Sequence, residues 1–177
     1  TRLKHIIALG AGLDGLADKL ILPEGATLKR LQDAGMQETM SRYLSYAVHH
    51  YQGNFDRYLA QEAQALWLDH PIKAPSEINI GILGLGNLGM ATAEKLHAQG
   101  FKVQAWSRSE RAAQPYATYS GQACLPDFLA RTAILISLLP LNDDTLHFID
   151  DKKLRTLPAG AVVINASRGK VLDDQAL

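Results

Sequence analysis

The sequence predicts an α/β protein whose main unit is a doubly wound parallel sheet. Short apolar runs alternate along the chain with segments of helical periodicity, the pattern of successive βαβ units. One such run, residues 78–83, leads directly into a glycine-rich turn and then into a helical segment. The chain has 177 residues, 47% of them hydrophobic and 20% charged, which is typical of a folded globular protein rather than a disordered one.

Residues 1–35 are interpreted as part of a separate α/β domain. Residues 4–9 and 26–31 have strand-like patterns, and a glycine turn and a short helical piece to about Leu20 lie between them. Strand, turn, helix and strand form a βαβ unit, but this one carries no phosphate-binding fingerprint. We therefore expect it to belong to a different domain from the glycine-rich turn at residues 84–89.

Residues 36–76 are interpreted as a long linking helix followed by a linker. Apolar side chains from Met36 to Trp67 recur every three or four positions, which is helical periodicity over about eight turns. Gly53 lies in the middle of this segment and makes the helix less stable by about 1 kcal/mol than alanine would. The helix is therefore either continuous or kinked or broken near residues 52–54. Pro71 and Pro75 exclude a continuation of the helix. Its length and aromatic side chains indicate that it joins two domains or packs on a second subunit, and we expect a homodimer.

Residues 77–177 are predicted to form a Rossmann-type nucleotide-binding domain. Gly84, Gly86 and Gly89 form the motif G-x-G-x-x-G directly after a strand and before a helix that starts near Asn87. The first glycine allows a sharp turn, the second lets the backbone approach a pyrophosphate, and the third lets the helix lie close to the strand. The amides at the start of the helix, including those of Asn87 and Leu88, would face the phosphates. We expect these five residues to bind a dinucleotide; the alternative is a glycine-rich turn without a ligand.

The residues after the second strand of this domain indicate which dinucleotide is bound. Enzymes that use NAD place an acidic residue about 20 positions after the glycines, where it holds the ribose 2'-hydroxyl and repels a 2'-phosphate. This chain has Ser107, Arg108 and Ser109 there. An arginine can pair with the phosphate and stack on adenine, and the hydroxyls add donors. We therefore expect NADP(H) to be preferred, with NAD(H) still possible; alternatively, Arg108 is only a solvated loop arginine.

Two further buried strands are predicted at residues 133–139 and 161–165, with short helices at 125–130 and 150–156 and a loop at 114–122. Both strands end at the edge where open α/β sheets bind ligands. Residues 173–177 resemble the first turn of another helix, and both ends of the chain look cut. The ligand contacts predicted at the ends of the two strands and directly after them are Leu139, Pro140, Thr145, Ala166, Ser167 and Arg168.

The overall composition makes several classes of partner improbable. The formal net charge is zero and no basic block is present, so nucleic acid and anionic membranes are not expected as partners. The single cysteine, Cys124, excludes a disulfide within one chain and fits a reducing compartment. No apolar stretch approaches the ~20 residues of a membrane span, and no signal-peptide pattern is present. We expect a cytoplasmic protein without a metal site.

These motifs together give the chain a family resemblance over essentially its whole length. It resembles the D-isomer-specific 2-hydroxyacid dehydrogenases, and within them the bacterial glyoxylate/hydroxypyruvate reductase type. The most specific motif runs from Ile164 to Gly169 and is followed by Val171 and Asp173. The others are the loop at residues 10–14, the long helix, the glycine turn, residues 106–109, and residues 138–140 with Thr145.

The resemblance implies reduction of a small 2-oxo acid to a 2-hydroxy acid by hydride transfer from a nicotinamide. It implies that Arg168 is catalytic, and that residues 1–35 belong to a flavodoxin-like substrate domain whose Ala11 and Gly12 amides anchor the substrate carboxylate. Independently of the family, a guanidinium at the end of a buried strand can grip a carboxylate and stabilise the oxyanion that forms from the carbonyl. The alternatives are that Arg168 bonds loop carbonyls and that the glycine loop has no function.

The family also uses a catalytic histidine and a glutamate, and neither has a match in this sequence. The six histidines lie outside the matching motifs, and we expect His49, His50 and His97 to be packing or surface residues. A general acid contributes about 10²–10⁴-fold to a rate. We therefore expect residues 1–177 alone to bind the cofactor but to turn over poorly.

Two other functions compete with the reductase. A 3-hydroxyacid dehydrogenase can carry a similar glycine motif, but such proteins begin with their Rossmann unit, whereas here 77 residues precede it. The second is a dinucleotide-sensing corepressor built on the same fold, which would need an exposed peptide-docking surface. Turnover of a 2-oxo acid would distinguish the reductase from the sensor.

Overall fold

The computed structural model describes residues 3–9, 20–31 and 34–177, and these form two parallel sheets. The first sheet contains β1 (His5–Ala8) and β2 (Thr27–Arg30), paired in parallel with His5 opposite Thr27. Parallel pairing requires a crossover between the strands, as in the predicted βαβ unit. The helical piece predicted within this crossover falls mainly on residues 10–19, outside the described residues.

The long helix predicted over residues 36–67 is two helices, α1 (Met36–Gln52) and α2 (Phe55–Glu62). The break falls at Gly53 and Asn54, within residues 52–54, where the sequence indicated that a kink or break could occur. Gly53 ends α1 by donating its N–H to the His49 carbonyl at 2.8 Å, and Asn54 takes a left-handed conformation with φ of 56°. Helix α2 ends at Glu62, short of the predicted residue 67, because Ala65 is also left-handed, with φ of 51°.

The second sheet has five parallel strands in the order β5-β4-β3-β6-β7. They are β3 (Asn79–Leu83), β4 (Lys102–Ser107), β5 (Ala117–Ser120), β6 (Ile134–Ser137) and β7 (Val162–Asn165). The connecting helices are α3 (Asn87–Ala98), α4 (Leu125–Ala130) and α5 (Asp151–Thr156). In this order the chain starts in the centre, builds one half of the sheet and then returns to build the other, which is the Rossmann arrangement. The predicted fold class is therefore confirmed.

Two of the strand predictions need correction. Residues 114–122 were expected to be a loop, but β5 pairs with β4 along this segment, with Trp106 opposite Tyr119. Strand β7 was expected to be buried, but its side chains are only half-buried because it lies at an edge of this sheet.

The sheet has a hydrophobic core on each face. Successive side chains of a strand point to opposite faces, so Ile82 packs with α1 and α3 on one side, whereas Leu83 packs with α4 on the other. On the first side, Leu44 and Val48 of α1 are completely buried. Helix α1 therefore covers one face of the sheet, and the side of α1 that carries Tyr46 stays exposed.

Candidate functional site

Strand β3 leaves the sheet through a turn that only glycine fits well. Gly84 has φ of 101°, a backbone conformation that residues other than glycine rarely adopt. Its N–H donates to the Trp106 carbonyl at 2.9 Å. A Cβ atom at Gly84 would lie 3.1 Å from the Leu138 carbonyl oxygen. The turn is therefore held between the ends of β4 and β6, the strands on either side of β3.

Gly86 and Gly89 differ in what surrounds them. A Cβ atom at Gly89 would overlap the Gly84 carbonyl oxygen, so α3 can lie this close to the turn only without a side chain there. At Gly86, by contrast, no described atom lies within 4 Å of the position that a Cβ would take. The backbone at Gly86 is thus open to the approach of a ligand, which is the arrangement that a pyrophosphate requires.

Among the described residues, no side chain caps the first amide groups of α3, which lie next to Gly86. The Met90 N–H donates to the Gly86 carbonyl at 2.9 Å as the first bond of the helix. Gly86 is the N-cap and has no side chain that could accept a hydrogen bond from the first amides of the helix, those of Asn87, Leu88 and Gly89. These amides and the helix dipole make a positive end that suits a phosphate.

The three residues predicted to recognise the ribose are the last residue of β4 and the two residues that follow it. Ser107 is buried, and its Oγ donates to the Ser109 carbonyl at 2.7 Å, which stabilises the turn. Arg108 extends into solvent, and its Nη1 donates to the Asp144 carboxylate at 2.5 Å. The arginine is therefore ion-paired, which differs from the predicted alternative of a purely solvated side chain.

The loop after β6 is held by its own hydrogen bonds. Thr145 Oγ1 donates to the Pro140 carbonyl at 2.5 Å and accepts the Asn142 N–H at 2.8 Å. Leu139 is buried, whereas Pro140 is exposed. The loop places Leu139, Pro140 and Thr145 beyond the carboxyl end of β6, as predicted, and brings Asp144 to Arg108.

The turn after β7 is organised by Asn165, to which the sequence assigned no role. Asn165 Oδ1 accepts the Ser167 N–H at 3.2 Å and the Ser167 hydroxyl at 2.6 Å, and its Nδ2 donates to the Arg168 carbonyl at 3.0 Å. Ala166 continues the sheet by donating its N–H to the Ser137 carbonyl at 3.1 Å. Arg168 is exposed, and its Nη1 donates to the Ser167 carbonyl at 3.0 Å, as in the alternative in which it bonds loop carbonyls.

All these turns lie at one edge of the sheet because every strand is parallel. Helix α3, which follows β3, packs on one face, whereas α5, which follows β6, packs on the other. The chain therefore leaves β3 and β6 in opposite directions and opens a crevice between them, the place where such sheets bind dinucleotides. Gly86 and the start of α3 fit a pyrophosphate, and the guanidinium after β4 fits a further phosphate.

A family model supports this interpretation of the crevice. Residues 45–177 match the model described as "D-isomer specific 2-hydroxyacid dehydrogenase, NAD binding domain". The chain belongs to this family. The match includes all five strands of the second sheet and the glycine turn, so the predicted family resemblance is confirmed.

Curated relatives of this dehydrogenase-family chain include the glyoxylate/hydroxypyruvate reductases A of Salmonella paratyphi B and Salmonella newport. Each is 40% identical over 173 residues, which is 95% of this chain and 55% of the relative. The chain thus spans about half the length of the curated relatives it matches.

Solved structures of other members are similar over almost the whole chain. One is a D-isomer specific 2-hydroxyacid dehydrogenase from Xanthobacter autotrophicus Py2 in complex with NADPH and MES, with a TM-score of 0.93 and 34% identity over 98% of this chain and 55% of that one. Another is an NADPH-dependent glyoxylate/hydroxypyruvate reductase from Sinorhizobium meliloti in complex with NADP and sulfate, with a TM-score of 0.90 and 34% identity over 98% of this chain and 56% of that one.

Some residues predicted for this dehydrogenase-family chain lie elsewhere in the structure. Ala11 and Gly12, the predicted substrate anchors, fall outside the described residues. His49 stacks edge-on against Phe101 at 5.3 Å, and His97 lies 6.1 Å from the Tyr116 ring, so both are packing residues at the surface. None of the described helices combines the length and apolar character needed to cross a membrane.

Proposed function

We propose that this protein is an NADPH-preferring reductase of small 2-oxo acids, with glyoxylate and hydroxypyruvate as substrates and D-2-hydroxy acids as products. The observation that carries the proposal is the single sheet edge at which the open turn at Gly86, Arg108 and Arg168 follow parallel strands. The family match and the similarity to reductases named for these two substrates support it.

In this proposal the residues at the sheet edge divide into three groups. The backbone at Gly84, Gly86 and Gly89, with the first amides of α3, holds the pyrophosphate, and the loop residues after β6 and β7 line the crevice. The bound dinucleotide supplies the hydride. Arg168 grips the substrate carboxylate and polarises the adjacent carbonyl, while the Ala11 and Gly12 amides hold the carboxylate from the other side.

The reductase activity can be tested with a chain of the relatives' full length, because residues 1–177 span about half of that length and are expected to turn over poorly alone. NADPH should be oxidised when glyoxylate or hydroxypyruvate is added, as followed by the loss of NADPH absorbance. Because the product of hydroxypyruvate is chiral, separating its enantiomers tests whether the D form is made. Tight dinucleotide binding without turnover of any small 2-oxo acid would contradict the proposal and favour a sensor.

The proposed preference for NADPH depends on Arg108. Replacing Arg108 with alanine should selectively weaken NADPH binding, by roughly 1–3 kcal/mol, the scale of a charge-assisted hydrogen bond, with a smaller loss for NADH. Dissociation constants measured by fluorescence titration with each cofactor check this. Equal losses for NADPH and NADH would mean that Arg108 does not recognise the 2'-phosphate.

The same proposal includes a homodimer in the cytoplasm. Helices α1 and α2 expose several large apolar side chains, among them Tyr46, Phe55 and Leu59, which is typical of a surface that a second subunit covers. Sedimentation velocity should give the mass of two chains, and a monomer would contradict the proposed dimer.

The single cysteine, Cys124, fits a reducing compartment. Cell fractionation should recover the protein with the cytosol, and a membrane-bound protein would contradict the proposed location.

A further inference from the structure

The ion pair between Arg108 and Asp144 lies at the end of the crevice where the ribose would be recognised. Arg108 follows β4 and Asp144 follows β6, and β3 lies between these two strands in the sheet. The contact between Arg108 Nη1 and Asp144 Oδ2, at 2.5 Å, therefore joins the two sides of the crevice past the end of β3. Both side chains are mostly exposed, at 75% and 70%.

Asp144 supplies the carboxylate that forms an ion pair with Arg108. The sequence has no acidic residue directly after β4, the usual place for the carboxylate that excludes a 2'-phosphate. The fold instead supplies a carboxylate to the same guanidinium from the loop after β6. The neighbouring Asp143 is also exposed, but among the described residues it forms no ion pair with Arg108.

We propose that Asp144 is a specificity-determining residue that weakens NADPH binding by competing with the 2'-phosphate for Arg108. The inference rests on the proposed function, because it takes Arg108 as the phosphate-binding group. A 2'-phosphate must displace the carboxylate or bind beside it, and the two anions then repel each other. NADH carries no 2'-phosphate, so it leaves the ion pair intact. Asp144 thus lowers the ratio of NADPH to NADH affinity below what Arg108 alone would give.

A merely structural role for the ion pair predicts a different result. An exposed ion pair adds little to stability because water and salt screen it and because two long side chains lose freedom. Replacing Asp144 with asparagine should therefore leave the unfolding midpoint unchanged. An effect on NADPH binding without an effect on stability would exclude a merely structural role for the ion pair.

The test compares Asp144→Asn with Asp143→Asn, which removes the same charge one residue away. In the intact protein at low salt, Asp144→Asn should tighten NADPH binding by about twofold to fivefold, the range that an exposed ion pair is worth. Asp143→Asn should have a smaller effect, and NADH binding should be almost unchanged in both. The gain should shrink as salt is raised, because the interacting charges are exposed.

A double-mutant cycle with Arg108→Ala completes the experiment. Without the arginine, Asp144→Asn should no longer tighten NADPH binding more than Asp143→Asn does. Equal effects of the two asparagine variants in the wild-type background, or a gain that persists without Arg108, would overturn the inference but leave the proposed function intact. If the wild-type protein bound neither dinucleotide, the proposed function would fail and the inference with it.

Discussion

At the residue scale, Gly86 and Gly89 show how one residue type meets two different requirements in the same turn. A methyl group at Gly86 meets open space, whereas at Gly89 it would overlap the Gly84 carbonyl oxygen. The fold therefore requires glycine at the second position, whereas at the first position only the proposed ligand would require it. Alanine substitution at each position separates the two requirements.

Gly86→Ala should change the free energy of unfolding by less than about 1 kcal/mol, because the poorer N-cap is offset by the smaller entropy of the unfolded chain. It should nevertheless lose dinucleotide affinity. Gly89→Ala should cost roughly 3 kcal/mol, since the backbone cannot easily make room. Urea unfolding and fluorescence titration measure the two effects. A loss of stability in Gly86→Ala as large as that in Gly89→Ala would contradict the distinction.

The sequence predicts that Arg108 and Arg168 lie near the ends of their strands, but it does not predict which residues contact them. The Arg108 and Asp144 side chains are 36 positions apart, and their contact depends on how two loops fold over the sheet. Asn165 follows a predicted strand, yet its three hydrogen bonds within the turn need the observed backbone path. Periodicity predicts where strands end, but it does not predict contacts between loops.

At the element scale, α5 depends on its first residue for its start. Asp150 is the N-cap: its Oδ1 accepts the Lys153 N–H at 2.9 Å, and its Oδ2 pairs with Lys153 Nζ at 2.6 Å. Partial burial raises the pKa of Asp150, but the hydrogen bonds and charge of Lys153 outweigh it, and the pKa lies below its ordinary value of 3.8. The ionised carboxylate therefore stabilises the folded state.

Since the folded pKa of Asp150 is lowered, its contribution is fully present above the unfolded pKa and is lost as pH falls through the folded value. Asp150→Asn keeps the cap but removes the charge, so it should be less stable than wild type by about 1 kcal/mol or less at pH 7. The difference should shrink as pH falls below the unfolded pKa and should vanish below the folded pKa. Asp150→Ala also loses the cap and should cost a further ~1 kcal/mol. Urea unfolding at several pH values checks this; an equal difference at every pH would contradict it.

The central strands could be predicted because their burial leaves a clear hydrophobic pattern in the sequence. The edge strands could not be predicted as well because they lack this pattern. Strands β3 and β6 are buried on both faces and read as continuous apolar runs. Strand β5 pairs with only β4 and is half-exposed or exposed, so its sequence has no such run. The break between α1 and α2 was signalled by Gly53, but the left-handed Asn54 that completes it was not.

At the scale of the whole molecule, α1 and α2 carry leucines with opposite surroundings. Leu44 of α1 is completely buried against the sheet, whereas Leu59 of α2 is 59% exposed. Leu44→Ala should therefore cost about 2–5 kcal/mol of folding stability. Leu59→Asp should leave the stability of a single chain nearly unchanged but should convert the proposed dimer to monomers. Sedimentation velocity and urea unfolding separate the two outcomes; a dimer that persists in Leu59→Asp would argue against this surface as the interface.

The strand order of the second sheet also predicts the order in which its parts fold. Ile80 on β3 pairs with Val103 on β4 and with Ile134 on β6, so the first strand of this sheet needs both a near and a distant neighbour in the sequence. The nearer pairing closes a shorter loop and costs less entropy. The β3-α3-β4 unit should therefore assemble first, and β6 should dock on it later. Because the crevice lies between β3 and β6, a refolding chain should form the β3-α3-β4 unit before it can bind the proposed dinucleotide.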